Sequence, residues 1–119
     1  MIFGVGINVN QERFLSDAPN PISLKQVLGH DADREQLLQS FLDKFEHYYE
    51  KLREGCYEEI ALLYHANLYR KQGFFEYEDK TGRFTAEIKG VRENGHLVLL
   101  DNEGKERDYE FKEVKFIIR

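Results

Sequence analysis

Ile2-Phe3-Gly4-Val5-Gly6-Ile7-Asn8-Val9-Asn10 lies at the start of the chain and carries its most telling pattern. Read as a strand, it sends alternate side chains to opposite faces. Phe3, Val5, Ile7 and Val9 then share an apolar face suited to a core. Gly4, Gly6, Asn8 and Asn10 share the other, which offers almost nothing to pack. Glycines in a strand weaken it and mark places where a ligand or another backbone comes close. Asparagine amides supply a donor and an acceptor side by side, as reading the edge of a flat heterocycle requires. The same face would equally accept a neighbouring aromatic ring or a crossing helix, and spacing alone does not choose between these.

A strand needs a partner, and no second convincing strand pattern follows until about residue 74. A lone strand leaves rows of N–H and C=O groups unpaired on both edges. The expectation is therefore a sheet completed by sequence beyond this chain, the chain being a truncated fragment. Its residues 2–10 are then expected to self-associate or to stay disordered.

At 119 residues the chain has room for one domain or two very small ones. Nine Phe and seven Tyr within 41% hydrophobic content suffice for a packed core. A net charge of −5, with no long basic run, disfavours nucleic-acid binding through phosphate neutralisation. Cys56 is the single cysteine, so no internal disulfide forms and a reducing compartment fits. No stretch approaches the roughly 18 apolar residues of a membrane span, and no signal-peptide pattern is present. The composition predicts a cytoplasmic protein without membrane contact.

Residues 11–23 read as a polar, proline-bearing loop with Phe14 and Leu15 in its middle. Those two either pin the loop to a core or close over something bound on the glycine face. Ser23 is placed to cap a short helix over Leu24–Leu28 that ends at Gly29. Asp33, with Gln36 three residues on, has the spacing of a capping box. Behind it Leu37, Leu38, Phe41, Leu42, Phe45, Tyr48, Tyr49 and Leu52 recur at helical spacing, up to a C-cap at Gly55. A second helix over Tyr57–Leu68, with Tyr57, Ile60, Ala61, Tyr64 and Leu68 inward, would complete an antiparallel pair. From Gly73 the period becomes two. Phe74–Glu78, Phe84–Val91, Leu97–Leu100, Arg107–Phe111 and Val114–Ile118 read as five strands, with turns at Asn94-Gly95 and Asn102-Glu103-Gly104. Five short strands in so few residues match a small SH3-like barrel. The predicted fold class is α+β: an isolated N-terminal strand and helix pair in residues 1–72, then a five-stranded SH3-like β-barrel in residues 73–119.

Chemistry is sparse. Gly4-Val5-Gly6 does not continue into a dinucleotide-binding glycine pattern, and no helix follows to hold a phosphate. His30, Asp31 and Asp33 sit at a helix start, where Asp is a routine cap, and His47, His65 and His96 are isolated. Cys56 has no evident base, and Glu58-Glu59 suits the dipole of a first helical turn. No catalytic residue and no metal site is predicted.

Together, Gly4-Val5-Gly6-Ile7-Asn8-Val9-Asn10-Gln11, the loop, Ile22-Ser23-Leu24, the helix pair and the terminal barrel resemble the C-terminal portion of biotin protein ligase, also called biotin–[acetyl-CoA-carboxylase] ligase. The resemblance covers essentially all 119 residues, although the barrel part carries few specific motifs. It implies an enzyme that adenylates biotin with ATP and passes it to a lysine of a biotin carboxyl carrier protein domain, with Mg2+ for the complete enzyme. Residues 1–72 would be the remnant of the catalytic domain. It further implies that Gly4, Gly6, Ile7, Asn8 and Asn10 line the biotinyl-adenylate pocket, with the following loop near the nucleotide. Glu113 and Arg119 would be barrel contacts to ATP or carrier. Where the family places a Gly-Glu pair before its last strand this chain has Lys112-Glu113.

Two family segments are missing from this sequence: the glycine-arginine loop, and the Lys-Trp-Pro-Asn-Asp stretch whose lysine stabilises the activated carboxyl. Adenylation depends on such positioning and electrostatic groups. No turnover, and no tightly held biotin or ATP, is expected from this chain alone. The alternative is a stand-alone SH3-like interaction module that binds a protein or peptide. A nucleic-acid-binding barrel is a third reading, opposed by eleven acids against nine bases in residues 73–119.

Overall fold

Two polar side chains start the first two helices. Ser23 Oγ accepts from the Gln26 N–H while Gln26 Oε1 accepts from the Ser23 N–H, and this reciprocal box opens α1 (Leu24–Leu28). Gly29 closes it at φ 80°, a left-handed conformation that favours glycine. Asp33 accepts from the N–H groups of Glu35 and Gln36 and opens α2 (Arg34–Arg53). The box expected at Asp33 and Gln36 is thus one-sided, and the reciprocal one falls at Ser23.

The computed structural model describes residues 1–118 and groups them into two compact units, residues 1–54 and the segment from Gly55 onward. In the first unit, residues 1–9 form no sheet ladder among the described residues, and that unit contains no strand to pair with them. The carbonyls of Asn8 and Val9 are taken up by the N–H groups of Leu24 and Lys25, at 3.0 and 2.8 Å. The apolar stripe of α2 keeps its helical spacing but buries nothing completely. Leu38, Phe41, Leu42, Phe45, Tyr48, Tyr49 and Leu52 stay between 39% and 58% exposed. Phe41, Phe45 and Tyr49 stack in file, with centroids 6.4 and 6.1 Å apart, and Phe3 meets Phe45 at 5.5 Å.

The second unit holds α3 (Tyr57–Ala66) and five strands: β1 (Phe75–Asp79), β2 (Gly82–Val91), β3 (Leu97–Asp101), β4 (Glu106–Tyr109) and β5 (Lys115–Phe116). Helix α3 ends two residues before the expected Leu68. Tyr57, Ala61 and Tyr64, expected inward, are exposed, while Ile60 and Leu68 are half-buried. Helices α2 and α3 lie in different units. The strands form one antiparallel sheet in the order β4-β3-β2-β1-β5, with β4 and β5 at its edges. The last two strands are shorter than the sequence suggests. Gly95 and Gly104, at φ 87° and 80°, sit in the two hairpin turns read from the sequence.

This sheet carries the core. Tyr77, Ala86, Leu99 and Tyr109 are buried, and Phe75, Phe84, Ile88, Leu97, Val114 and Phe116 pack around them. Ring follows ring from Tyr109 to Phe84 to Tyr77, with centroids 6.1 and 5.9 Å apart, and Phe116 meets Tyr77 edge-on at 5.0 Å. A register shift between Ile88 and Gly90 brings β2 to His65. His65 Nε2 accepts from the Val91 N–H at 3.1 Å while Nδ1 lies 2.8 Å from the Ala61 carbonyl, so the ring joins α3 to the sheet.

Candidate functional site

The two faces of the N-terminal segment are separated as alternation requires. Phe3, Val5, Ile7 and Val9 all turn to α2, where with Leu37, Leu38, Phe41 and Phe45 they line a groove of about 1060 Å³. Gly4 and Gly6 face away from it. A Cβ added at either would meet no atom within 4 Å among the described residues, so this face is open. Ile7 and Asn10 therefore stand apart from Gly4, Gly6 and Asn8, because both line the groove.

The two asparagines are in different situations. Asn8 is exposed beside the open face; its Nδ2 donates to the Ile22 carbonyl at 3.3 Å and its Oδ1 accepts from Gln11 Nε2 at 2.9 Å. Asn10 is part-buried and commits both ends of its amide to one peptide. Its Nδ2 donates to the Ala32 carbonyl and its Oδ1 accepts from the Ala32 N–H, both at 2.9 Å. That residue precedes the Asp33 cap, so Asn10 ties the segment to the start of α2. Lys25 holds the neighbouring loop and turn through Asp31 at 3.0 Å and Glu12 at 3.5 Å, and these carboxylates, Asp31 first, raise its pKa. In the loop itself Phe14 is half-buried and Leu15 is fully exposed.

Glu113 occupies the turn before β5, where its carboxylate accepts from the Glu110 N–H at 2.7 Å. Arg119 lies outside the described residues. Among the described residues no group of three or more His, Cys, Asp or Glu side chains is placed to hold a metal ion. No helix among them is long and apolar enough to cross a membrane.

The densest polar cluster joins the sheet's turns. Asp101, 3% exposed, accepts from the N–H groups of Glu103 and Lys105 and from Arg107 Nε. The Lys105 amide is the main cause of its lowered pKa. Asp79 takes the Thr81 hydroxyl and N–H on one oxygen and the Tyr109 hydroxyl on the other, at 2.6, 2.7 and 2.7 Å. Thr81 first, then Tyr109, draws the Asp79 carboxyl down to about 2. Burial, aided by Asp79, pushes the Tyr109 hydroxyl up to about 12. Arg107 also lies 4.2 Å from the centre of the Phe84 ring. Every acid here is met by a donor within the cluster, which is the pattern of a structural clamp. Sequence reasoning passed over it, although Asp79-Lys80-Thr81-Gly82 and Asp101-Asn102-Glu103-Gly104 are both turn signatures.

No family model matches the chain. The bifunctional ligase/repressor BirA of Bacillus subtilis (strain 168) is 30% identical to it in an alignment 114 residues long that covers 92% of this chain and 34% of that protein. The apo structure of biotin protein ligase from Aquifex aeolicus superposes with a TM-score of 0.69 over 93% of this chain and 50% of that one, at 21% identity. The chain is similar to a C-terminal portion of a biotin protein ligase. The Aquifex aeolicus ligase solved in complex with biotin and ATP gives a TM-score of 0.67, again at 21% identity, over 48% of that chain. At this identity the solved ligases speak to the fold, which they share with this α+β chain. The chain spans about a third of the Bacillus ligase and about half of each Aquifex one.

Proposed function

We propose that this chain supplies one wall of the biotinyl-adenylate site of a biotin protein ligase, an enzyme that adenylates biotin with ATP and transfers it to a lysine of a biotin carboxyl carrier domain. One observation carries the reading: in a chain similar to biotin protein ligases, the face bearing Gly4, Gly6 and Asn8 is open to an approaching group. A flat acyl-nucleotide can lie against bare backbone where any side chain would hold it off. Asn8, beside that face, has donor and acceptor capacity beyond its two recorded bonds. Ile7 enters as part of the apolar support beneath, and Asn10 as the tie to α2.

Residues 73–119 are proposed as the SH3-like module of such a ligase, with Glu113 and Arg119 toward ATP or carrier, and the cytoplasm as its compartment. Mg2+ is proposed for the complete enzyme only; among the described residues no group of three or more His, Cys, Asp or Glu side chains gathers to hold it. Residues 2–10, with their backbone unpaired by a ladder, are the proposed route of self-association. Without the glycine-arginine loop and the Lys-Trp-Pro-Asn-Asp stretch, the chain alone is expected to show no biotin-dependent exchange between ATP and pyrophosphate.

The test joins the amino-terminal half of the Aquifex aeolicus ligase to this chain and follows that exchange. Gly6→Val in the joined protein is expected to lower the rate about a hundredfold, because misplacing a reacting group by an ångström costs that order. An unchanged rate with Gly6→Val would remove the glycine face from the site.

A further inference from the structure

We propose that Arg70 is a positioning residue: its guanidinium clasps the turn entering the sheet to the last strand of that sheet, and so holds the Glu113 turn in place. That Glu113 meets ATP or carrier rests on the reading above; the clasp does not. Arg70 is the third residue of the turn that the Lys71 N–H closes onto the Leu68 carbonyl at 3.2 Å. It stands there at φ 58°, a left-handed conformation that favours glycine and strains a long side chain. The side chain offsets that strain with contacts no glycine could make. Nη1 donates to the Glu76 carbonyl at 3.3 Å and Nη2 to the Ile117 carbonyl at 2.6 Å. The guanidinium centre also lies 4.7 Å from the centre of the Phe75 ring, 5.4 Å from Tyr69, 5.6 Å from Phe116 and 5.8 Å from Tyr77. Each partner is fixed in character, since a carbonyl only accepts and a ring face attracts a cation.

Strand β5 has little ladder of its own. It is two residues long and pairs with β1 through Tyr77–Phe116 and Glu78–Lys115. The Ile117 N–H adds one bond beyond the ladder, to the Glu76 carbonyl at 3.1 Å. Arg70 bridges that same carbonyl and the Ile117 carbonyl, so its forked N–H groups span the junction of β1 and β5. An ammonium is a point charge on a flexible stem and has no such fork. Residues 110–114 then hang between β4, held by its ladder to β3, and β5, held by β1 and Arg70. Glu113 sits in that turn, just ahead of β5.

The test uses the full chain, labelled with ¹⁵N, and compares amide hydrogen exchange at Ile117 with that at Leu99 in the core. Arg70→Lys keeps the charge and loses the fork; Arg70→Gly relieves the turn and loses the clasp. Both are expected to speed exchange at Ile117 about tenfold, the order of one hydrogen bond to a charged group, with Leu99 unmoved. In the joined ligase, Arg70→Lys is expected to raise the KM of ATP or of the carrier domain about tenfold while kcat stays within about twofold. With Glu113→Ala already in place, Arg70→Lys is expected to add nothing further to that KM, because the two act through one contact. Ile117 exchange that is the same in all three chains would overturn the clasp. Faster exchange with both KM values unmoved, or a full further rise on top of Glu113→Ala, would overturn the positioning of Glu113. If the unsubstituted joined ligase shows no exchange between ATP and pyrophosphate, the ligase reading falls and Ile117 exchange decides the clasp.

Discussion

At the residue scale, the sequence announces the identity of a side chain more readily than its employment. Asn8 and Asn10 look equivalent from spacing, two residues apart on one face. The structure separates them, because Asn10 spends its amide on Ala32, a residue 22 positions away. No local pattern encodes that pairing. Arg70 was equally hidden: at φ 58° it places its guanidinium 4.7 Å from the centre of the Phe75 ring and donates to the Glu76 and Ile117 carbonyls. Tyr77 is the opposite case, an obvious core aromatic with an unexpected defect. It is fully buried and its hydroxyl has no partner within hydrogen-bond geometry among the described residues, while burial raises its pKa and the nearby Arg70 guanidinium opposes the rise. An unmet buried hydroxyl costs about 1–3 kcal/mol. Tyr77→Phe keeps the ring and removes the hydroxyl, so it is expected to stabilise the chain by about 1 kcal/mol in urea titration. A loss of stability would show that the hydroxyl is satisfied in solution.

At the scale of elements, both periodicities were legible and their consequences were only partly so. The 3.6-residue stripe and the Asp33 cap gave α2 its place, and alternation with Asn-Gly and Glu-Gly turns gave the five strands. Burial was not legible, because a stripe records what a helix can cover and not what covers it; Phe45 is still 42% exposed. The hairpin clamp of Asp79, Asp101, Arg107 and Tyr109 makes the sheet's stability depend on pH at both extremes. The Asp79 carboxyl is lowered from 3.8 to about 2, so its contribution is complete above pH 4 and disappears as the pH falls through 2. The Tyr109 hydroxyl is raised from 10.0 to about 12, so its contribution is complete below pH 10 and disappears as the pH rises through 12. Thermal unfolding followed across that range is expected to show both losses, and Asp79→Asn should flatten the acid one. An acid limb unaltered by Asp79→Asn would assign it to other carboxylates.

At the scale of the molecule, the sheet unit has its own core, whereas the first unit pairs an open glycine face with a half-exposed apolar helix. This difference explains why the strands of the sheet could be read without outside help, while the proposed site could be read only through a family resemblance. Half a pocket has no local signature beyond the absence of side chains where a ligand would lie. Gly4, Gly6 and Asn8 are proposed to form one wall of a site whose other wall comes from sequence like the remainder of the ligases. Calorimetric titration of biotinyl-adenylate into this chain, and into the chain joined to the amino-terminal half of the Aquifex aeolicus ligase, tests it most directly. Tight binding is expected by the joined protein, none measurable by the chain alone, and loss of binding with Gly6→Val. Equal affinity in both, or a folded joined protein that ignores the adenylate, would contradict it.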